Sequence, residues 1–72
     1  MPTQINPNKL LLSKWTAAVP QNKEKHFIVT KLLRDELEVV IGCELQAVLT
    51  QRTQALDWRA LQDETCWRLG WL

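Results

Sequence analysis

Glycine is scarce in this 72-residue chain, which holds only Gly42 and Gly70, and tyrosine is absent. Two distant glycines cannot build a phosphate-cradling loop, which needs several close together. Cysteine is equally sparse: Cys43 and Cys66 stand alone, with no C-x-x-C pair, and His26 is the only histidine. That leaves no ligand spacing of the zinc-binding kind. One disulfide is arithmetically possible. However, residues 1–8 are polar and carry no apolar signal segment, so the expected location is the cytoplasm, where thiols stay reduced. The longest apolar runs, such as Leu10–Leu12 and Val39–Ile41, fall far short of the ~20 residues of a membrane span.

Tryptophan, by contrast, is plentiful. Trp15, Trp58, Trp67 and Trp71 are spread over one short chain. A domain this small buries only about 60% of its unfolded surface. Lacking disulfides and metals, it must draw its core from large rings, each able to bury roughly 150–250 Å². The expected organisation is an irregular arm over residues 1–9 and a single small domain over 10–72.

A mostly β fold is expected. Residues 12–19 read as a strand ended by Pro20. Residues 26–34 form a second strand, apolar on both parities, so its buried face stays open. From position 37 to 49 every odd residue is apolar (Leu37, Val39, Ile41, Cys43, Leu45, Ala47, Leu49), and of the intervening even ones only Val40 and Val48 are large and apolar. Period two marks a half-buried strand. Thirteen extended residues span about 40 Å, against a radius of gyration of about 11 Å for a chain this long. Such a strand must bend, and Gly42 is where a bulge or corner would fall. A fourth strand is expected near 53–57. Asp57 would cap a short helical turn, with Leu56 and Leu61 at staple spacing, and Asp63 a second helix over 64–69 ended by Gly70. The first architecture is a strongly bent four-stranded antiparallel sheet closed as an SH3- or Tudor-like barrel. The alternative is an open α+β sheet with one C-terminal helix.

Charge divides the chain. Residues 1–34 carry a net +5 and residues 35–72 a net −4. The basic half mixes cations with aromatics, and its candidate binding surface comprises Lys14, Trp15, Lys23, Lys25, His26 and Lys31. Lysines neutralise phosphates and an aromatic ring stacks on a base. The plainer reading makes Trp15 and Phe27 core residues and the lysines an ordinary wetted face.

Catalytic readings are weak. Cys43, Cys66 and His26 could form a metal site or a cysteine–histidine pair only by long-range assembly, with no orienting third group. Cys43 lies in the apolar register, where cysteine serves as a small hydrophobe. Glu38 and Glu44 sit six apart on the polar parity and read as solvated. No cofactor, metal or small-molecule substrate is indicated.

Lys-Leu-Leu-Leu-Ser-Lys-Trp-Thr-Ala (9–17), Lys-Glu-Lys-His-Phe-Ile-Val-Thr-Lys (23–31), Ala-Val-Leu-Thr (47–50), Asp-Trp-Arg-Ala-Leu (57–61) and the Trp67-x-x-Gly-Trp71 segment together resemble a family of short tryptophan-rich bacterial proteins of uncharacterised function. The resemblance covers residues 9–71. It implies a stand-alone bacterial protein and brings no activity, cofactor or site residue. The expected function is therefore that of a non-enzymatic module for protein interaction or self-association. The alternative is RNA binding through the basic half.

Overall fold

The computed structural model describes residues 5–21 and 23–72. Residues 1–4 of the expected arm lie outside them, and Pro7–Lys9 forms one 3₁₀ turn. Five strands follow: β1 (Lys14–Gln21), β2 (Glu24–Arg34), β3 (Val40–Ala47), β4 (Thr53–Leu56) and β5 (Trp67–Leu69). They form one antiparallel sheet in the order β4-β3-β2-β1-β5.

This sheet is open, which corrects the expected barrel. Closure would require β4 to pair with β5, and these short strands lie at opposite edges. The length that seemed to demand closure is not there: β3 has eight residues, and 37–39 and 48–50 belong to the turns on either side. The result is flat, 37 × 29 × 15 Å, with a radius of gyration of 11.6 Å.

Two bulges bend it. Pairing passes from Val29↔Leu45 to Lys31↔Glu44, leaving Thr30 as an extra residue on β2. It passes again from Leu33↔Gly42 to Arg34↔Val40, leaving Ile41 extra on β3. An extra residue exchanges the two faces beyond it. Hence Cys43, Leu45 and Ala47 are buried as the odd register demands, whereas Leu37, Val39 and Ile41 are exposed and Val40 is buried. Gly42 does sit beside the bulge, and it also admits a close approach: a Cβ there would stand 2.7 Å from the Leu56 carbonyl oxygen.

Glycine poverty shows in the turns. Leu12, Lys23, Glu38 and Gln51 all adopt left-handed φ between 62° and 66°, a conformation that L-residues reach at some cost. Three of them, Lys23, Glu38 and Gln51, sit in the three hairpin turns.

The core is one face of the sheet. Trp15, Phe27, Val29, Cys43, Leu45 and Ala47 are covered by Leu10 and Leu61, with Ile5, Trp58 and Trp67 packed around them. Leu61 comes from the 3₁₀ turn Trp58–Gln62, which Asp57 caps by accepting from the Arg59 N–H at 2.9 Å. That cap and the Leu56–Leu61 placement match expectation. The second helix does not form. Asp63 instead caps a turn through the Thr65 N–H at 3.0 Å, and residues 67–69 pair with the free edge of β1. Available ladder partners at that edge outweigh a short, isolated helical turn. Strand β1 also runs through Pro20, which lies beyond the last β5 pair at Ala17 and within the irregular stretch between Thr16 and Gln21, so no ladder partner needs its missing N–H.

Candidate functional site

The face opposite the core carries Lys14 and Thr16 from β1, His26 and Ile28 from β2, and Arg68 from β5. Their register is Lys14↔Ile28, Thr16↔His26 and Thr16↔Arg68. Thr16 is nonetheless buried, because residues 70–72 fold across it. Gly70, at φ +88°, turns the chain there, a geometry glycine adopts freely. Its N–H donates to the Lys14 carbonyl at 2.7 Å. The Thr16 hydroxyl donates to the Gly70 carbonyl at 2.6 Å and accepts from the Leu72 N–H at 3.0 Å.

This crossing sets Trp71 upon the outer face. Its indole N–H donates to the Phe27 carbonyl at 2.9 Å. The His26 ring stacks on it with centroids 5.8 Å apart, and the Lys14 Nζ lies 4.9 Å from the ring centroid, a cation–π arrangement. His26 Nε2 is 3.0 Å from the Leu72 main-chain oxygen. Trp71 remains 43% exposed, so this cluster offers solvent an aromatic surface beside a cation.

Of the six residues expected to form one surface, the structure brings together Lys14 and His26. Trp15 lies on the other face in the core, its N–H donated to the Ser13 hydroxyl at 2.9 Å. Lys23 and Lys25 are exposed near the β1–β2 turn, and Lys31 is exposed beyond the Thr30 bulge, opposite Glu44. Trp71 is the residue that sequence reasoning missed. Its four-residue spacing from Trp67 is compatible with both rings packing on one face of the sheet. With a strand and a glycine turn, however, Trp67 packs edge-on against Phe27 in the core at 5.1 Å and 84°, and Trp71 goes to the opposite side. Gly70 was the available signal.

A cleft of about 370 Å³ opens on the core side. Phe27, Trp67, Ala17 and Val19 give its apolar lining; Gln21, Glu24, Arg52 and Gln54 give its polar end, with Thr65 and Cys66 also on its wall. Glu24 is buried there. One carboxylate oxygen accepts from the Thr50 hydroxyl, and the other lies 3.4 Å from Arg52 Nη2.

The two thiols differ. Cys43 is fully buried and Cys66 exposed. Burial, reinforced by the Asp57 carboxylate, pushes the Cys43 thiol up to about 11. Around Asp63, donation from the Thr65 hydroxyl and N–H, and from the Cys66 thiol, holds the carboxyl below its usual range. His26 and the two cysteines do not converge, and no group of three potential metal ligands occurs among the described residues. No helix among them is long and apolar enough to cross a membrane.

The fold and its ring contacts define a small open-sheet β protein with tryptophans on both faces of the sheet. By its sequence the chain belongs to the tryptophan-rich protein family DUF2389, which matches residues 13–72. Neither a curated protein nor a solved structure matches it.

Proposed function

We propose that this chain is a non-enzymatic module that acts by contact with another protein, or with a second copy of itself, through the tip of the β2–β3 hairpin. The observation that carries this reading is a rigid turn built to expose apolar side chains. Asp35 Oδ1 accepts from the Leu37 N–H at 2.8 Å and the Val39 N–H at 3.0 Å. The Asp35 N–H donates to Val39, the Glu38 N–H donates to Asp35, and Arg34 Nη1 donates to the Glu38 carbonyl at 2.9 Å. Held in this frame, Leu37 is 82% exposed, with Val39 and Ile41 also exposed behind it. A preformed loop loses little entropy on docking, and clustered exposed apolar groups mark contact surfaces. Two thiols left unpaired suit a reducing bacterial cytoplasm. Crosslinking from Leu37 tests the reading: a discrete adduct lost in Val39→Lys supports it, and no adduct overturns it.

The cluster around Trp71 favours a second reading, RNA binding on the outer face. A partly exposed indole beside Lys14, with Arg68 on the neighbouring strand, combines a stacking surface with phosphate-neutralising charge. Binding to a mixed RNA pool that falls steeply with salt supports it; no binding at low salt removes it.

A further inference from the structure

We propose that the core-side cleft is a binding site for a carboxylate attached to an apolar or aromatic group, either a free organic acid or the C-terminal residue of a peptide. This site is separate from the hairpin tip and does not depend on it.

The polar end of the cleft carries the inference. A buried carboxylate is costly unless its oxygens are satisfied. Both oxygens of Glu24 are engaged, by Thr50 and by Arg52. Each oxygen thus has a partner, and Glu24 serves to brace the guanidinium. The turn that brings these partners in is itself fixed: Gln51 adopts φ 62°, its N–H donates to the Ala47 carbonyl at 2.8 Å, and the Arg52 carbonyl accepts from Ala47. Arg52 lines the cleft with its side chain still 70% exposed. A guanidinium has five N–H donors in a planar fork, and a single Glu24 oxygen at 3.4 Å leaves most of them free. The planar complement of such a fork is a carboxylate held through two hydrogen bonds.

The rest of the cleft specifies the body of the ligand. Phe27 and Trp67 meet edge to face, and Ala17 and Val19 extend the apolar wall. Gln21 and Gln54 are on the same lining, and their side-chain amides are of a kind to supply further hydrogen bonds. A cavity of about 370 Å³ lies at the small end of the ligand-pocket range, roughly 300–1,000 Å³. It suits one ring or one side chain.

The test is an NMR titration of the full chain with four probes: 3-phenylpropanoate, 3-phenylpropanol, an acetylated tripeptide ending in phenylalanine, and the amide of that tripeptide. The expected result is a saturable shift at Trp67, Ala17 and Gln54 for at least one acid, with its uncharged counterpart binding about tenfold more weakly. The acid that binds more tightly identifies the source. Arg52→Gln lowers acid affinity by about tenfold or more. Glu24→Gln, which keeps the guanidinium but weakens its brace, lowers affinity by less, and Val39→Lys leaves it unchanged. The proposal is overturned if neither acid gives a saturable shift, if the alcohol and the amide bind as well as the acids, or if the shifts map to Trp71 instead. The comparison of acids with neutral probes uses the unaltered chain, so a folding defect in Arg52→Gln does not affect it.

Discussion

The Trp71 indole N–H donates to the main-chain carbonyl of Phe27 at 2.9 Å, so one aromatic residue grips, from the outer face, the backbone of another whose ring is in the core. The two faces of the central sheet are thereby linked through a single peptide group. Residues 70–72 are part of the fold, tied to β1 by Thr16 and to β2 by Trp71.

Trp71→Phe keeps an aromatic ring against His26 and Lys14 but removes the N–H. A net hydrogen bond contributes about 0.5–1.5 kcal/mol, so urea unfolding should show a loss near 1 kcal/mol. Trp71→Ala also removes the ring contacts, which add about 0.5–1.5 kcal/mol. The alanine variant should therefore be clearly the less stable of the two. Equal stabilities would mean that the ring contacts contribute nothing.

Gly42→Ala should destabilise the sheet even though the change adds a single methyl group. The new Cβ would meet the Leu56 carbonyl oxygen at 2.7 Å, and backbone cannot swing aside as a flexible side chain can. Overpacking of this kind costs about 1–3 kcal/mol. The thermal midpoint should fall, with the largest chemical-shift changes along β4.

Glu38→Gly should stabilise the chain. Glu38 holds φ 64°, where an L-residue pays roughly 1–2 kcal/mol, and glycine returns part of that gain as unfolded-state entropy, about 0.5–1 kcal/mol. A net gain of up to about 1 kcal/mol is expected. The hydrogen bond from Arg34 survives because it is made to the main-chain carbonyl.

Alkaline pH should weaken the fold through Cys43. Its thiol is raised to about 11 from an ordinary value of 9.0, so the native state holds a proton that the unfolded state releases first. The contribution is complete below pH 9 and is lost as pH rises towards 11. Cys43→Ala should flatten that part of the stability profile, and the absence of tyrosine removes one competing titration. In the native protein an alkylating reagent should modify Cys66 and spare Cys43.

Much of the scaffold was legible because local chemistry and tertiary context agreed. The strands around Trp15 and Phe27, the Asp57 cap and the packing of Leu56 and Leu61 into one cluster follow from spacing and capping rules. Disagreement began where exposed residues mimic a core pattern. Leu37, Val39 and Ile41 continue the odd apolar register of β3, yet the Ile41 bulge turns them away from the core, and no period count contains a bulge. Residues 64–69 carry helix-capping signals, but the partner that claims 67–69 is β1, some fifty positions away. The six residues of the candidate surface are divided for the same reason. Lys14 and His26 share a face by strand register, but Trp71, the ring both contact, reaches that face only through the turn at Gly70, and the Glu24–Thr50–Arg52 group assembles only when two hairpin ends come together.

The most direct measurement is site-specific photocrosslinking from Leu37 in cells, with a matched crosslinker at exposed Lys9. The account predicts a discrete protein adduct from position 37, absent from position 9 and abolished by Val39→Lys in a chain whose circular dichroism is unchanged. No adduct from position 37, or the same adduct from both positions, would contradict it.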